Sequence, residues 1–310
     1  MKKKILFILI ICIVVIILII PIIFIPAKIK IASIGYITQP LEAINRQVSN
    51  KSLFTHFNIN DKNTFVVNNQ PFQLLDIHFL GSDFTTSTQY KNIQLNGSVR
   101  FIFLKKDSVV LINECSFYKS NNPLVQYIQY FRALQFKKIQ DKIVQELATL
   151  LSSSEFLYGV KIKHTLVQHD LYLSYNFNHN GIPSTELLYS KIEGLKKYIL
   201  QQNGVILTPP MVNFSLLTNN RYRVMIAFAT NVIIKESTDY KFKKMIKGNL
   251  LEAVVIGDNK KIKDAEENLH NYVFEKHLIS PAVPYQILIT NRIAEKDSTR
   301  WVTKLNFPIY

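Results

Sequence analysis

The sequence predicts an α+β chain in three parts: an N-terminal transmembrane helix, an antiparallel sheet closed by one long helix, and a strand–helix–hairpin unit written twice. Three observations carry this. Ile5 to Ile25 is a run of 21 residues without a charge. From Lys28 to Tyr118, apolar and polar residues alternate in short runs between turn signals, and one helical pattern follows from Leu124 to Leu151. Leu195-Lys-Lys-Tyr-Ile199 then returns as Leu269-His-Asn-Tyr-Val273, 74 positions later.

At 1.5 Å per residue, the uncharged run spans a hydrocarbon core of roughly 30 Å. It exceeds the roughly 7–15 apolar residues of a cleaved signal peptide, so residues 1–26 read as an uncleaved signal anchor. Lys2, Lys3 and Lys4 outweigh Lys28 and Lys30 across it. The positive-inside bias therefore places the N-terminus in the cytoplasm and the body outside it, in the periplasm of a bacterial cell.

The body, residues 27–310, is rich enough in apolar side chains to fill sizeable cores: the chain is 48% hydrophobic, with 20 Phe and 15 Tyr. Its net charge of +15 is spread thinly, and its densest group, Lys241, Lys243, Lys244 and Lys247, reads as a solvated face. No nucleic-acid partner is expected from it. Two cysteines, Cys12 in the apolar run and Cys115 in a strand pattern, leave no disulfide framework. No metal or cofactor motif occurs. His164 and His169, five apart on a strand, point to opposite faces, and His270 and His277 lie about 10 Å apart on a helix.

In order along the body, Lys28–Ile37 alternates as a half-buried strand, and Thr38-Gln-Pro-Leu41 opens a helix with apolar positions 41, 44 and 48. Strands are expected over 72–80, 84–95, 98–105 and 108–118, with turns at Gly81-Ser82, Asn96-Gly97 and Lys106-Asp107. The long helix carries apolar residues at 124, 128, 131, 134, 139, 143, 147 and 150, and Ser152-Ser-Ser154 ends the first domain, residues 27–154. A strand running into a Pro-initiated helix, followed by antiparallel strands and a long C-terminal helix, resembles SRPBCC (START-like) helix-grip domains. That resemblance implies an apolar cavity between sheet and helix.

Residues 155–310 form the second domain. First strands are expected at roughly 158–175 and 241–257, helices at roughly 185–203 and 262–277. Each helix leads through a proline-containing turn to a strand that ends in Thr-Asn, at Thr218-Asn219 and Thr290-Asn291. The last hairpin runs from Tyr285-Gln-Ile-Leu-Ile-Thr-Asn291 through an acidic loop to Trp301-Val-Thr303 and an aromatic-Pro close. With the repeat and the Val-Val-Ile-Gly257 strand end, it resembles the GyrI-like (bacterial transcription activator) effector-binding domain. The resemblance implies an antiparallel sheet with helices on one face and a small-molecule cleft along a pseudo-twofold axis. It also brings hydrolase activity as an alternative.

Two positions depart from that family's pattern. Gln286 stands where a ligand-facing Glu is common, and Asn259 stands near a common Tyr. A neutral Gln exchanges hydrogen bonds but neither balances a cation nor acts as a general base. Neighbours on a strand alternate faces, so Gln286 and Leu288 are taken inward and Tyr285 outward. Phe214 and Leu216 are their counterparts in the first repeat. Trp301 is either a cleft aromatic or a core plug, and Gln286 is alternatively a solvent-facing strand residue. The expected function is membrane-anchored binding of an apolar or weakly polar small molecule, without catalysis. A GyrI-like hydrolase and an interaction protein with filled cavities are the alternatives.

Overall fold

The structure, a computed structural model, describes residues 25–26, 28–49, 64–67, 70–81, 83–91, 93–118 and 120–310. The anchor reading falls, but for Ile25 and Pro26, outside these residues. Among the described residues, no helix is long and apolar enough to cross a membrane. Ile25, the last residue of the uncharged run, is only 6% exposed and packs with Ile29 and Ile31 in the core of the first unit. The run therefore ends inside a folded core. The chain is mixed α+β with two antiparallel sheets, divided into two compact units at Ser153/Ser154.

The first unit holds a six-stranded sheet in the order β1-β6-β5-β4-β3-β2. The strands are β1 (Lys28–Ile37), β2 (Thr64–Val67), β3 (Gln70–Leu80), β4 (Asp83–Tyr90), β5 (Ile93–Lys105) and β6 (Ser108–Tyr118). Strict alternation along β1 buries Ile29, Ile31, Ser33 and Ile37, while Lys28 and Lys30 face out. Helix α1 is Leu41–Ser49. The long helix α2, Pro123–Ser152, starts on Asn122, whose side chain accepts from the N–H groups of Leu124 and Val125, with Pro at the first turn.

Two expectations change here. Asn96-Gly97 is not a turn: it lies within β5, and the chain reverses at Lys91, which takes a left-handed φ of 44°. Gly97 is required by close approach, since a Cβ there would sit 2.9 Å from Thr86 Oγ1 and 3.0 Å from Cys115 Sγ. The buried stripe of α2 is also rotated from the expected one in the first half of the helix, while the expected Ile139, Ile143 and Leu147 do pack inward. Ala133, Phe136, Gln140, Val144 and Leu147 face the sheet, whereas Leu124 is 74% exposed, with Ile128, Phe131 and Leu134 exposed beside it. Phe136 packs at a tilt against the stacked rings of Phe72 and Tyr90, and this core fills the space between helix and sheet. The unit's large cavity, about 670 Å³, is polar, with Lys30, Asp76, His78, Thr85, Asn96 and Glu114 in its wall. Its wall contrasts with the apolar cavity that the START-like resemblance implies.

The second unit is an eight-stranded sheet in the order β11-β8-β10-β9-β13-β14-β12-β7. A short helix α3 (Ser154–Tyr158) leads into β7 (Ile162–Leu166) and β8 (Leu171–Asn180). Helix α4 (Thr185–Gln201), β9 (Met211–Thr218) and β10 (Arg221–Ala229) complete the first repeat. The second comprises β11 (Tyr240–Lys244), β12 (Asn249–Ile256), α5 (Asn259–Glu275), β13 (Tyr285–Leu288) and β14 (Val302–Ile309). Ser184 and Asp258 cap α4 and α5 by accepting backbone N–H groups in the first turn. Asn219 and Asn220, both with positive φ, close the β9–β10 hairpin, as a two-residue primed turn requires.

The sheet order reads symmetrically about the β9–β13 junction. Each expected first strand is in fact two strands, and its leading piece crosses to the other repeat: β7 pairs β12, and β11 pairs β8. The crossing segments bond to each other, Val167 N–H to Gly248 C=O at 3.0 Å and Met245 N–H to Asp170 C=O at 2.8 Å. One sheet face is covered: Leu188, Ile192, Leu195 and Ile199 of α4 pack on Leu173, Val224, Ile226 and Leu288.

Candidate ligand-binding site

The opposite face of this sheet carries a cavity of about 330 Å³. Its floor comes from alternate residues of the central strands: Tyr172 on β8, Met225 and Ala227 on β10, Met211 on β9 and Tyr285 on β13. The register brings them together, pairing Ala227 with both Met211 and Ser174. One wall is the crossing segment Met245–Gly248, and another includes Pro281, Val283 and Pro308. The chain has four methionines, and all but Met1 line this cavity. Unbranched, polarisable side chains adapt to irregular apolar shapes.

Two phenols supply its polar points. Burial, and then the neighbouring Asp170, pushes Tyr172 up to about 12. Burial, then Tyr172 and Glu252, pushes Tyr285 up as well. Both stay protonated at neutral pH and are donors. Neither hydroxyl has a hydrogen-bond partner among the described residues. Lys243, Lys244 and Lys247 also line the cavity, and no acidic, histidine or cysteine side chain does.

None of the six expected site residues lines it. Gln286 and Leu288 point to the helical face, because Gln286 pairs with Leu305 and Val212, both buried there. Tyr285 and Ile287, by alternation, take the open face. Gln286 is 9% exposed and donates to Glu266 Oε2 on α5 at 3.3 Å. The carboxylate missing from the strand is thus present on the helix. Burial raises the pKa of Glu266 above its ordinary value, while His270 and the Gln286 bond pull it back. Phe214 packs on the helical core, and Leu216, near the end of β9, is 62% exposed.

Trp301 and Asn259 meet through a residue the sequence had not singled out. Arg292, 7% exposed, stacks 4.7 Å from the Trp301 ring, and donates to Asn259 Oδ1 at 3.2 Å and Thr303 Oγ1 at 2.9 Å. Its backbone N–H donates to the Tyr189 hydroxyl at 2.9 Å, and Trp301 Nε1 donates to the Glu295 carbonyl at 3.0 Å. Trp301 is therefore a core plug. The cavity residues themselves were hard to see in sequence. Their one available signal was the three methionines clustered in a single unit, Met211 and Met225 on strands and Met245 in the crossing segment.

No family model matches the chain, and no curated protein matches it. Solved structures similar to it include the EcmrR C-terminal domain, at 14% identity over 49% of this chain and 98% of that one, with a TM-score of 0.42. A hydrolase encoded by lin2189 from Listeria innocua matches at 9% identity over 48% and 92% of the two chains, TM-score 0.38. A START superfamily protein from Mycobacterium smegmatis matches at 12% identity over 38% and 98%, TM-score 0.24.

Proposed function

We propose that the second unit is a receptor for a small, largely apolar molecule held in the cavity on the open face of its sheet. The observation that carries this is the cavity itself. Its volume of about 330 Å³ falls in the range of small-molecule sites, roughly 300–1,000 Å³. Its lining of three methionines with two unpaired phenols favours binding over a filled interaction surface. Binding without catalysis is the fitting reading: the wall offers no carboxylate, imidazole or thiol side chain, and burial holds its two phenols protonated. In the same proposal, the uncharged run of Ile5 to Ile25 is the tether that holds the receptor at a membrane, with its body on the outer side. Protease protection in sealed spheroplasts tests that orientation, and a body that stays protected refutes it.

The receptor reading is tested by extracting small molecules that co-purify with the full-length chain and with an Ala227→Phe variant, and analysing both extracts by mass spectrometry. A compound enriched in the first and lost from the second is the expected result. Equal recovery from both would overturn the assignment of the cavity.

A further inference from the structure

We infer that the ligand is an organic anion, an apolar body with one acidic group. This rests on the receptor reading and adds its charge. Three cations, Lys243, Lys244 and Lys247, line one site with no acidic side chain among its lining residues. Lys243 Nζ lies 3.5 Å from the sulfur of Met225, over the apolar wall. Among the described residues, none of the three has a carboxylate within 4 Å, although the surrounding lysines do. Lys241 pairs with Glu236 at 3.9 Å, and Lys304 with Glu252 at 3.1 Å. Asp170, in the facing crossing segment, makes no ion pair with them.

The geometry explains why the cations gather here. β11 belongs to the second repeat in sequence, but it pairs with β8 of the first, so Lys243 stands beside Tyr172. The segment that follows carries Lys247 across the pseudo-twofold axis and along the cavity wall. Like charges held together without counter-charge repel one another, and a bound anion relieves that repulsion. The protonated hydroxyls of Tyr172 and Tyr285 add two neutral donors, and hydrogen bonds to an anion are stronger than those to a neutral acceptor. A cationic ligand meets the opposite field.

The test uses two dyes with one aromatic skeleton, 8-anilinonaphthalene-1-sulfonate and its uncharged parent N-phenyl-1-naphthylamine. Both are titrated into the full-length chain, and binding to the Ala227→Phe variant is subtracted. The sulfonate is expected to bind about tenfold more tightly at low salt, although it is the less apolar dye. That preference should shrink at 1 M salt, where the screening length is about 3 Å. It should vanish in the triple variant Lys243→Gln, Lys244→Gln, Lys247→Gln, whose unfolding transition, matched to that of the natural chain, shows that the fold is intact. Equal affinities in the natural chain, or a sulfonate preference indifferent to salt, overturn the anion assignment and leave the receptor reading standing. If neither dye's binding responds to Ala227→Phe, the receptor reading falls, and the anion with it.

Discussion

Arg292 is a buried guanidinium whose hydrogen bonds go to an amide and a hydroxyl instead of a carboxylate. Burial accordingly pulls its pKa down. It persists because it joins α5, β14 and the loop before Trp301 in one network. Arg292→Ala would strand Asn259 and Thr303 and open a void beside the indole. A loss of about 2–4 kcal/mol is expected in urea unfolding. Trp301 is the only tryptophan, so its emission should shift to the red as water reaches it. Glu266 provides a second residue-scale test. Its folded pKa is raised by burial, so its neutral form supports the fold fully below the ordinary 4.5, and that support is lost as pH rises through the folded value. Glu266→Gln should flatten the pH dependence of stability in that window. Gln286→Glu would set a second carboxylate beside the first, costing about 1–3 kcal/mol at pH 7 and much less at pH 4. An equal effect of Gln286→Glu at both pH values would refute the contact. None of this could be read from the sequence, where Gln286 was legible only as a missing charge. Its partner is 20 positions away on a helix, and only the strand register turns the two together.

At the scale of elements, Asn96-Gly97 shows how one residue type serves two purposes. A glycine supplies positive φ in a turn, but it also lets a strand approach its neighbours closely. The sequence signal is the same for both. Gly97→Ala should destabilise the first unit by about 1–3 kcal/mol, because the added methyl meets Thr86 and Cys115. Cys115→Ala in the same chain should recover part of that loss, and a double-mutant cycle showing simple additivity would remove this explanation. Burial pushes the Cys115 thiol up to about 12, so its contribution is packing and not reactivity. Helix α2 repeats the lesson. Its apolar residues support two possible stripes, and the sheet took the one containing Ala133, Gln140 and Ala148, whose small or amide side chains allow close approach. Gly35 on β1 agrees, since a Cβ there would lie 3.0 Å from Ala148 and Val144.

At the scale of the whole molecule, each unit keeps its own buried core, and Ile25 belongs to the first. A chain starting at Ile25 should exceed one starting at Lys28 by about 1.5–3 kcal/mol in the unfolding of that unit, the value of one buried isoleucine. Equal stabilities would mean that Ile25 is not part of the core. The strand residues that line the cavity are spread through both repeats, from Tyr172 to Ile309.

Local pattern alone determined a good deal about this protein. Period-two alternation marked β1 and β6, helical periodicity marked α2, and the recurring Leu-x-x-Tyr core marked α4, α5 and the duplication. These are short-range signals, since each depends on neighbours a few residues apart. Tertiary structure decided which face of the second sheet the helices cover, and with it the location of the cavity. It also decided the exchange of β7 and β11 between repeats. A strand broken by four residues reads in sequence like a continuous one, and the edge its first half joins is set by pairing with a strand about 85 positions away. The cavity wall that carries Met245 and the lysines follows from that exchange.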